Sequence, residues 1–232
     1  MKKTFSIVSA LAMLAVGSIP ANAVTYGDAT GENFTGAGGG ILDITSVEVN
    51  ATATDLVFKI NLAGDPSNPT DWGKYMIGID SAAGGDTVGN AWGRPISMSS
   101  GMDYWVGSWA DSGNGAEVWK YTGAWALQNA TYATPGGLSI SKNTSSVTIS
   151  YPYASLGLSF GNSFTFDVYT SGSGGGDGAV DALGNPSQSI ADWGNPYNSG
   201  SLVNTFTVPE PSSLALIGLG GLALVRRSLR RK

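Results

Sequence analysis

Along this chain, apolar positions recur at every second residue over short stretches. In Asp55–Leu62, the residues Leu56, Phe58, Ile60 and Leu62 share one face while Lys59 and Asn61 take the other, which is the pattern of a half-buried strand. Tyr75, Ile77 and Ile79 alternate in the same way up to Asp80. Segments 43–49, 102–109, 117–121, 138–141, 146–151 and 163–170 predict further strands, and clusters of Gly, Asn, Asp, Ser and Pro separate them. The body offers no long stretch with helical spacing, and 153–158 has room for a single helical turn. Seven or more short strands with turn-rich connections predict an all-β fold, an antiparallel β-sandwich of jelly-roll type.

The two ends depart from this pattern. Residues 1–23 place Lys2 and Lys3 ahead of an apolar run, 5–16, and a small-residue site, Ala21-Asn22-Ala23. That order predicts a secretory signal removed by signal peptidase after Ala23. At the other end, Pro209 and Pro211 bracket Glu210 and stop any strand from running on. An uncharged stretch of 14 residues, 212–225, follows, and then Arg226, Arg227, Arg230, Arg231 and Lys232. As a helix the stretch would be about 21 Å long against a hydrocarbon core of about 30 Å, so a permanent transmembrane span is a poor fit. The basic cluster stays on the cytoplasmic side, which leaves everything before Pro209 exported.

Pro-Glu-Pro, a short apolar helix and an arginine-rich end, in this order, resemble the PEP-CTERM sorting signal of Gram-negative bacteria. The resemblance covers 208–232. It implies recognition and cleavage near Pro209-Glu210-Pro211 by an exosortase-type membrane protease, transient anchoring in the inner membrane, and then release or attachment at the cell surface, usually in bacteria that make exopolysaccharide. A plain C-terminal tail anchor is the alternative. The domain reading is therefore a signal peptide (1–23), a β-sandwich (24–208) and a sorting signal (209–232).

Composition narrows the chemistry. The 232 residues include no Cys and no His, which excludes disulfides, thiolate sites, imidazole bases and His-ligated metals or haem. Charged residues make up 12%, about half the usual share. In the 185 residues of the body, Lys59, Lys74, Arg94, Lys120 and Lys142 face sixteen acids, a net charge of −11. Nucleic acid is excluded as a partner, because affinity for a phosphate backbone rests on Lys and Arg.

The succession KYMIGID, SAAGGDT, GMDYWVGSW, AEVWKYTGAW, VTISYPYASLG, SFTFDVYTSG and DGAVDALGNP resembles the DOMON-like and family 9 carbohydrate-binding-module sandwiches, over about 44–186. This implies an eleven-strand-class sandwich with sugar or haem binding and surface attachment among its roles. Haem ligation in that group uses His and Met, so the missing His favours the sugar branch.

Five of the seven tryptophans, Trp92, Trp105, Trp109, Trp119 and Trp125, lie between 92 and 125, with Tyr104 and Tyr121 interleaved. Sugars stack C–H faces on flat rings while their hydroxyls seek polar groups, here Asn90, Arg94, Asp103, Asp111 and Glu117. Tyr104 and Trp105 must point to opposite faces of a strand, so at most half of the cluster shares one surface and the rest is core. Asp80 with Asp86, and Asp177 with Asp181, stand in Gly-rich turns and offer hard oxygens suited to a structural Ca²⁺, although Asp and Gly also serve simply as turn formers. Catalysis by a carboxylate pair needs no His, but no pair stands out. The leading expectation is a non-enzymatic, surface-sorted protein that binds exopolysaccharide or another envelope glycan. A structural or adhesive matrix protein without a small ligand is the second reading, and a carboxylate glycosidase the third.

Overall fold

A computed structural model of the chain describes residues 23–32, 38–67, 72–111, 114–133, 136–185, 192–201 and 203–210. The signal-peptide segment up to residue 22, Pro211 and the predicted sorting helix with Arg226 and Arg227 lie outside the described residues. Among the described residues no helix is long and apolar enough to cross a membrane.

The body is an antiparallel β-sandwich. One sheet contains, from edge to edge, β1 (Val24–Gly27), β2 (Ile44–Ala51), β3 (Asp55–Leu62), β10 (Ser146–Pro152) and β9 (Ser139–Lys142). The other contains β12 (Asp181–Ala182), β11 (Ser163–Ser171), β4 (Lys74–Asp80), β6 (Tyr104–Trp109), β7 (Gly115–Tyr121) and β8 (Trp125–Ala130), with β14 (Asn204–Thr207) beside β12 on the outer flank of β11. Two short strands, β5 (Ile96–Ser97) and β13 (Tyr197–Asn198), pair in parallel outside both sheets. The chain crosses between sheets from β3 to β4, back from β8 to β9 and again from β10 to β11, and β3 pairs with β10 while β4 pairs with β11. The segment predicted to hold one helical turn is the 3₁₀ turn Tyr153–Leu156.

Alternation along the strands fills the space between the sheets. Leu56, Phe58, Ile60 and Leu62 of β3 are buried against Tyr75, Ile77 and Ile79 of β4 and Phe164, Phe166 and Val168 of β11. Phe166 is fully buried and meets the rings of Tyr26, Phe58 and Phe164 at 5.2 to 5.8 Å. Truncating such a residue to Ala costs about 3–5 kcal/mol. A second apolar layer lies on the far face of the β4 sheet. There Met76, Trp105 and Tyr169 are covered by Ile96, Met98 and Met102 from the 86–102 segment and by Ala179 and Tyr197. This cover extends over β11, β4 and β6 and leaves β7 and β8 at the margin, with Trp119 and Trp125 packed against it only in part.

Candidate functional site

Strand alternation divides the aromatic run between the two faces of its sheet, as the sequence requires. Tyr104, Val106 and Val118 face the inner core. Trp105, Trp109, Glu117, Trp119 and Tyr121 occupy the positions in register on the outer face, where Trp105 lies opposite Trp119, and Trp109 opposite Gly115. Trp125 of β8 joins them opposite Tyr121, with ring centroids 5.3 Å apart.

Glycines at two outward-facing positions let indoles lie close against the sheet. A Cβ at Gly107 would run into the Trp92 ring, and one at Gly115 into the Trp109 ring. Trp92 reaches this place from the loop before β5, which Asn90 fixes from within. Asn90 Nδ2 donates to Arg94 O and Ile96 O at 2.8 Å each, and its Oδ1 accepts from Trp92 N at 3.0 Å.

Glu117 organises the centre of the face. Its Oε2 accepts from Trp92 Nε1 at 2.8 Å and Trp119 Nε1 at 2.9 Å, and its Oε1 accepts from the Tyr132 hydroxyl at 2.6 Å. Burial alone would raise the Glu117 pKa, but the three donors outweigh it and hold the carboxyl below the ordinary 4.5. The same hydrogen bond raises the pKa of Tyr132. Asp86 serves Trp125 similarly, accepting from Nε1 at 2.8 Å and from the backbone N–H groups of Val88 and Gly89. Tyr132, 64% exposed, and Leu127, 41% exposed, border the half-buried rings of Trp109, Trp119 and Trp125. The result is an aromatic surface of mutually tilted rings, in which the indole N–H groups of Trp92, Trp119 and Trp125 are held by carboxylates and the rings of Trp109, Trp119 and Trp125 are partly open.

Several expected members of the site have other places. Trp105 is fully buried, stacked on Tyr169 at 6.0 Å and edge-on to Trp92 at 6.3 Å, so it supports the aromatic surface from beneath. Arg94 is buried and donates to Ser171 Oγ, Asp177 O and Gly172 O, with its guanidinium 5.7 Å from the Trp92 ring centroid. Asp103 anchors the turn after β4 by accepting from Ser81 and Ala82 N–H. Asp111 pairs with Lys74 at 3.3 Å. Tyr132 follows β8 in a turn without a pattern of its own, and only the fold brings its hydroxyl to Glu117.

The acids expected to hold calcium each lie in their own surroundings. Asp80 lines an open depression of ≈ 410 Å³ together with Ser81, Ser100 and Thr165, and among the described residues no other acid lines it. Asp177 Oδ2 accepts from Gly174 N within its own turn. Asp181 sits in β12 and is drawn instead into a group with Asp28 and Glu32.

At the C-terminal end, Val208 is fully buried, and hydrogen bonds between its backbone and those of Gly161 and Asn162 hold it in place. Pro209 is half-buried and Glu210 exposed, so packing ends where Pro-Glu-Pro begins. At the other end Ala23 is exposed and β1 starts at the next residue.

Residues 207–232 match the family model of the PEP-CTERM protein-sorting motif. No curated protein gives a significant match to the chain. The motif marks the chain as an exported, exosortase-targeted protein destined for the cell surface.

Proposed function

We propose that this exported, exosortase-targeted chain is a non-catalytic glycan-binding protein whose outer face over β6, β7 and β8 receives exopolysaccharide or another envelope glycan. The observation that carries the reading is the aromatic surface of Trp109, Trp119, Trp125 and Tyr132 around Glu117, with three donors converging on one carboxylate. Sugar rings stack on such surfaces, and rings locked in advance lose little freedom on binding. Both carboxylates on this face, Glu117 and Asp86, are engaged by indole N–H groups, and Glu117 is held ionised, the opposite of what a general acid requires.

Calorimetry and affinity electrophoresis against a panel of acidic and neutral bacterial polysaccharides test this reading. Binding that protects tryptophan fluorescence from acrylamide supports it, and flat titrations from folded protein reject it. A structural matrix role is favoured by one observation, the complete burial of Trp105 beneath Trp92. It foresees slight quenching and no glycan protection.

A further inference from the structure

Asp28, Glu32 and Asp181 each bring a carboxylate oxygen within 4.8 Å of the other two. Asp28 and Glu32 stand in the loop that leaves β1, whereas Asp181 opens β12 of the opposite sheet, so the group spans both layers of the sandwich. Asp43, just before β2, secures the loop, because its Oδ2 accepts the Gly31 N–H at 2.9 Å. Its other oxygen is the telling one. Asp43 is only 6% exposed, yet Oδ1 is buried with no hydrogen-bond partner. Asp28 Oδ2 and both carboxylate oxygens of Glu32 are buried without a partner as well. Asp181 is 1% exposed and holds the Ile44 N–H at 2.6 Å and the Ala182 N–H at 2.8 Å, which orients its carboxylate while leaving a lone pair on each oxygen.

Among the described residues no base offsets this charge. Lys59 pairs with Glu48, Lys74 with Asp111, Lys120 lies over the Tyr104 ring, Lys142 donates to Ala110 O, and Arg94 is held at Ser171 and Gly172. Unpartnered anionic oxygens in a buried place are costly, and a cation is what such an arrangement accommodates.

We infer that Asp28, Glu32, Asp43 and Asp181 form a binding site for a hard divalent cation, Ca²⁺, which fastens the N-terminal loop to the β12 edge of the other sheet. The ligand set is all oxygen, in a chain without Cys or His, which excludes soft metals by chemistry. Its uneven spread over a loop, a strand end and an opposite sheet suits the flexible six- to eight-oxygen shell of Ca²⁺ better than the tight octahedron of Mg²⁺. Burial, with repulsion from neighbouring acids, also pushes Asp28 up to about 7 and Asp181 up to about 8, so that protons fill the role when the ion is absent.

The test is calorimetric titration of CaCl₂ into the exported protein after chelation, together with thermal unfolding in Ca²⁺ and in EDTA at matched ionic strength. One Ca²⁺ per chain is expected, with a melting temperature about 5–10 °C higher at a concentration about a hundred times Kd. Glu32→Gln, in a half-buried loop position that folding tolerates, and Asp43→Asn should each weaken binding at least tenfold, while Asp80→Asn should bind as wild type. Absent heat with coincident melting curves would overturn the inference. So would binding that survives Glu32→Gln and Asp43→Asn but is lost in Asp80→Asn.

Discussion

The Trp92 indole occupies the space that a side chain at Gly107 would need. Gly107 sits on β6 directly opposite Glu117, the residue to which Trp92 donates its N–H, so the missing Cβ and the hydrogen bond set the ring in place together.

Gly107→Ala should therefore lift Trp92 from the sheet and expose Trp105 beneath it. We expect a loss of about 1–3 kcal/mol in urea unfolding and a red-shifted tryptophan emission. Unchanged emission with unchanged stability would show that the ring does not depend on that gap.

Glu117→Gln keeps the shape but replaces an anion that accepts three hydrogen bonds with a group that must also donate. We expect about 1–2 kcal/mol of destabilisation at neutral pH. The Glu117 carboxyl is held below its ordinary 4.5, so its contribution is present above that value and lost as the pH falls through the lowered one. The difference in stability between wild type and variant should shrink on acidification below about pH 4. A difference that stays constant down to pH 3 would contradict this account.

Asp167 makes the opposite contribution. It is fully buried, and although it accepts from Ser199 Oγ, Gly184 N and Val168 N, burial pushes it up to about 7 against an ordinary 3.8. The folded state then holds a proton that the unfolded state has released. Stability from this group is complete below about pH 4 and is lost as the pH rises towards 7. Asp167→Asn should flatten the fall in melting temperature between pH 5 and 8 relative to wild type, and parallel profiles would refute the assignment.

Substituting Trp119 or Trp125 by Ala should weaken binding to whichever polysaccharide is bound by about 1–2 kcal/mol, roughly five- to thirtyfold. Both rings are half-buried at the open margin, so the fold should survive, which near-ultraviolet dichroism would check. Wild-type affinity in both variants would move the glycan surface elsewhere.

Processing should respect the packed boundary. Intact mass of the exported protein should give Val24 as the first residue and a last residue after Val208, because trimming Val208 would remove a fully buried side chain and the hydrogen bonds to Gly161 and Asn162. A product ending inside β14 would contradict this.

Periodicity made the central strands legible. β3 coincides with the alternating segment Asp55–Leu62, and β4 ends at Asp80 as the pattern indicates, because one face of each is wholly buried. β8 escaped because Ala126, Leu127 and Gln128 are all exposed and a register shift at Val118 and Trp119 breaks its alternation. β1 and β14 are four-residue edge strands, too short to display a period. The tryptophans of the site were legible as a cluster, and their division between faces followed from alternation. The roles of Arg94 and Asp103 were not, because a polar residue beside an aromatic run reads the same whether it faces solvent or anchors a turn. Asp181 looked like the partner of Asp177, its neighbour in sequence. Pairing of β11 with β12 and β4 instead carries it across the body to Asp28, a relation no local pattern encodes.

The Tyr26 hydroxyl of β1 donates to Thr205 O of β14 at 2.6 Å, and the Tyr26 ring rests on Phe166. The first and last strands of the body are thus clasped on one flank. Because both partners of this clasp, Tyr26 and Thr205, lie inside the segment 24–208, removal of residues before Val24 and after Val208 would leave it intact.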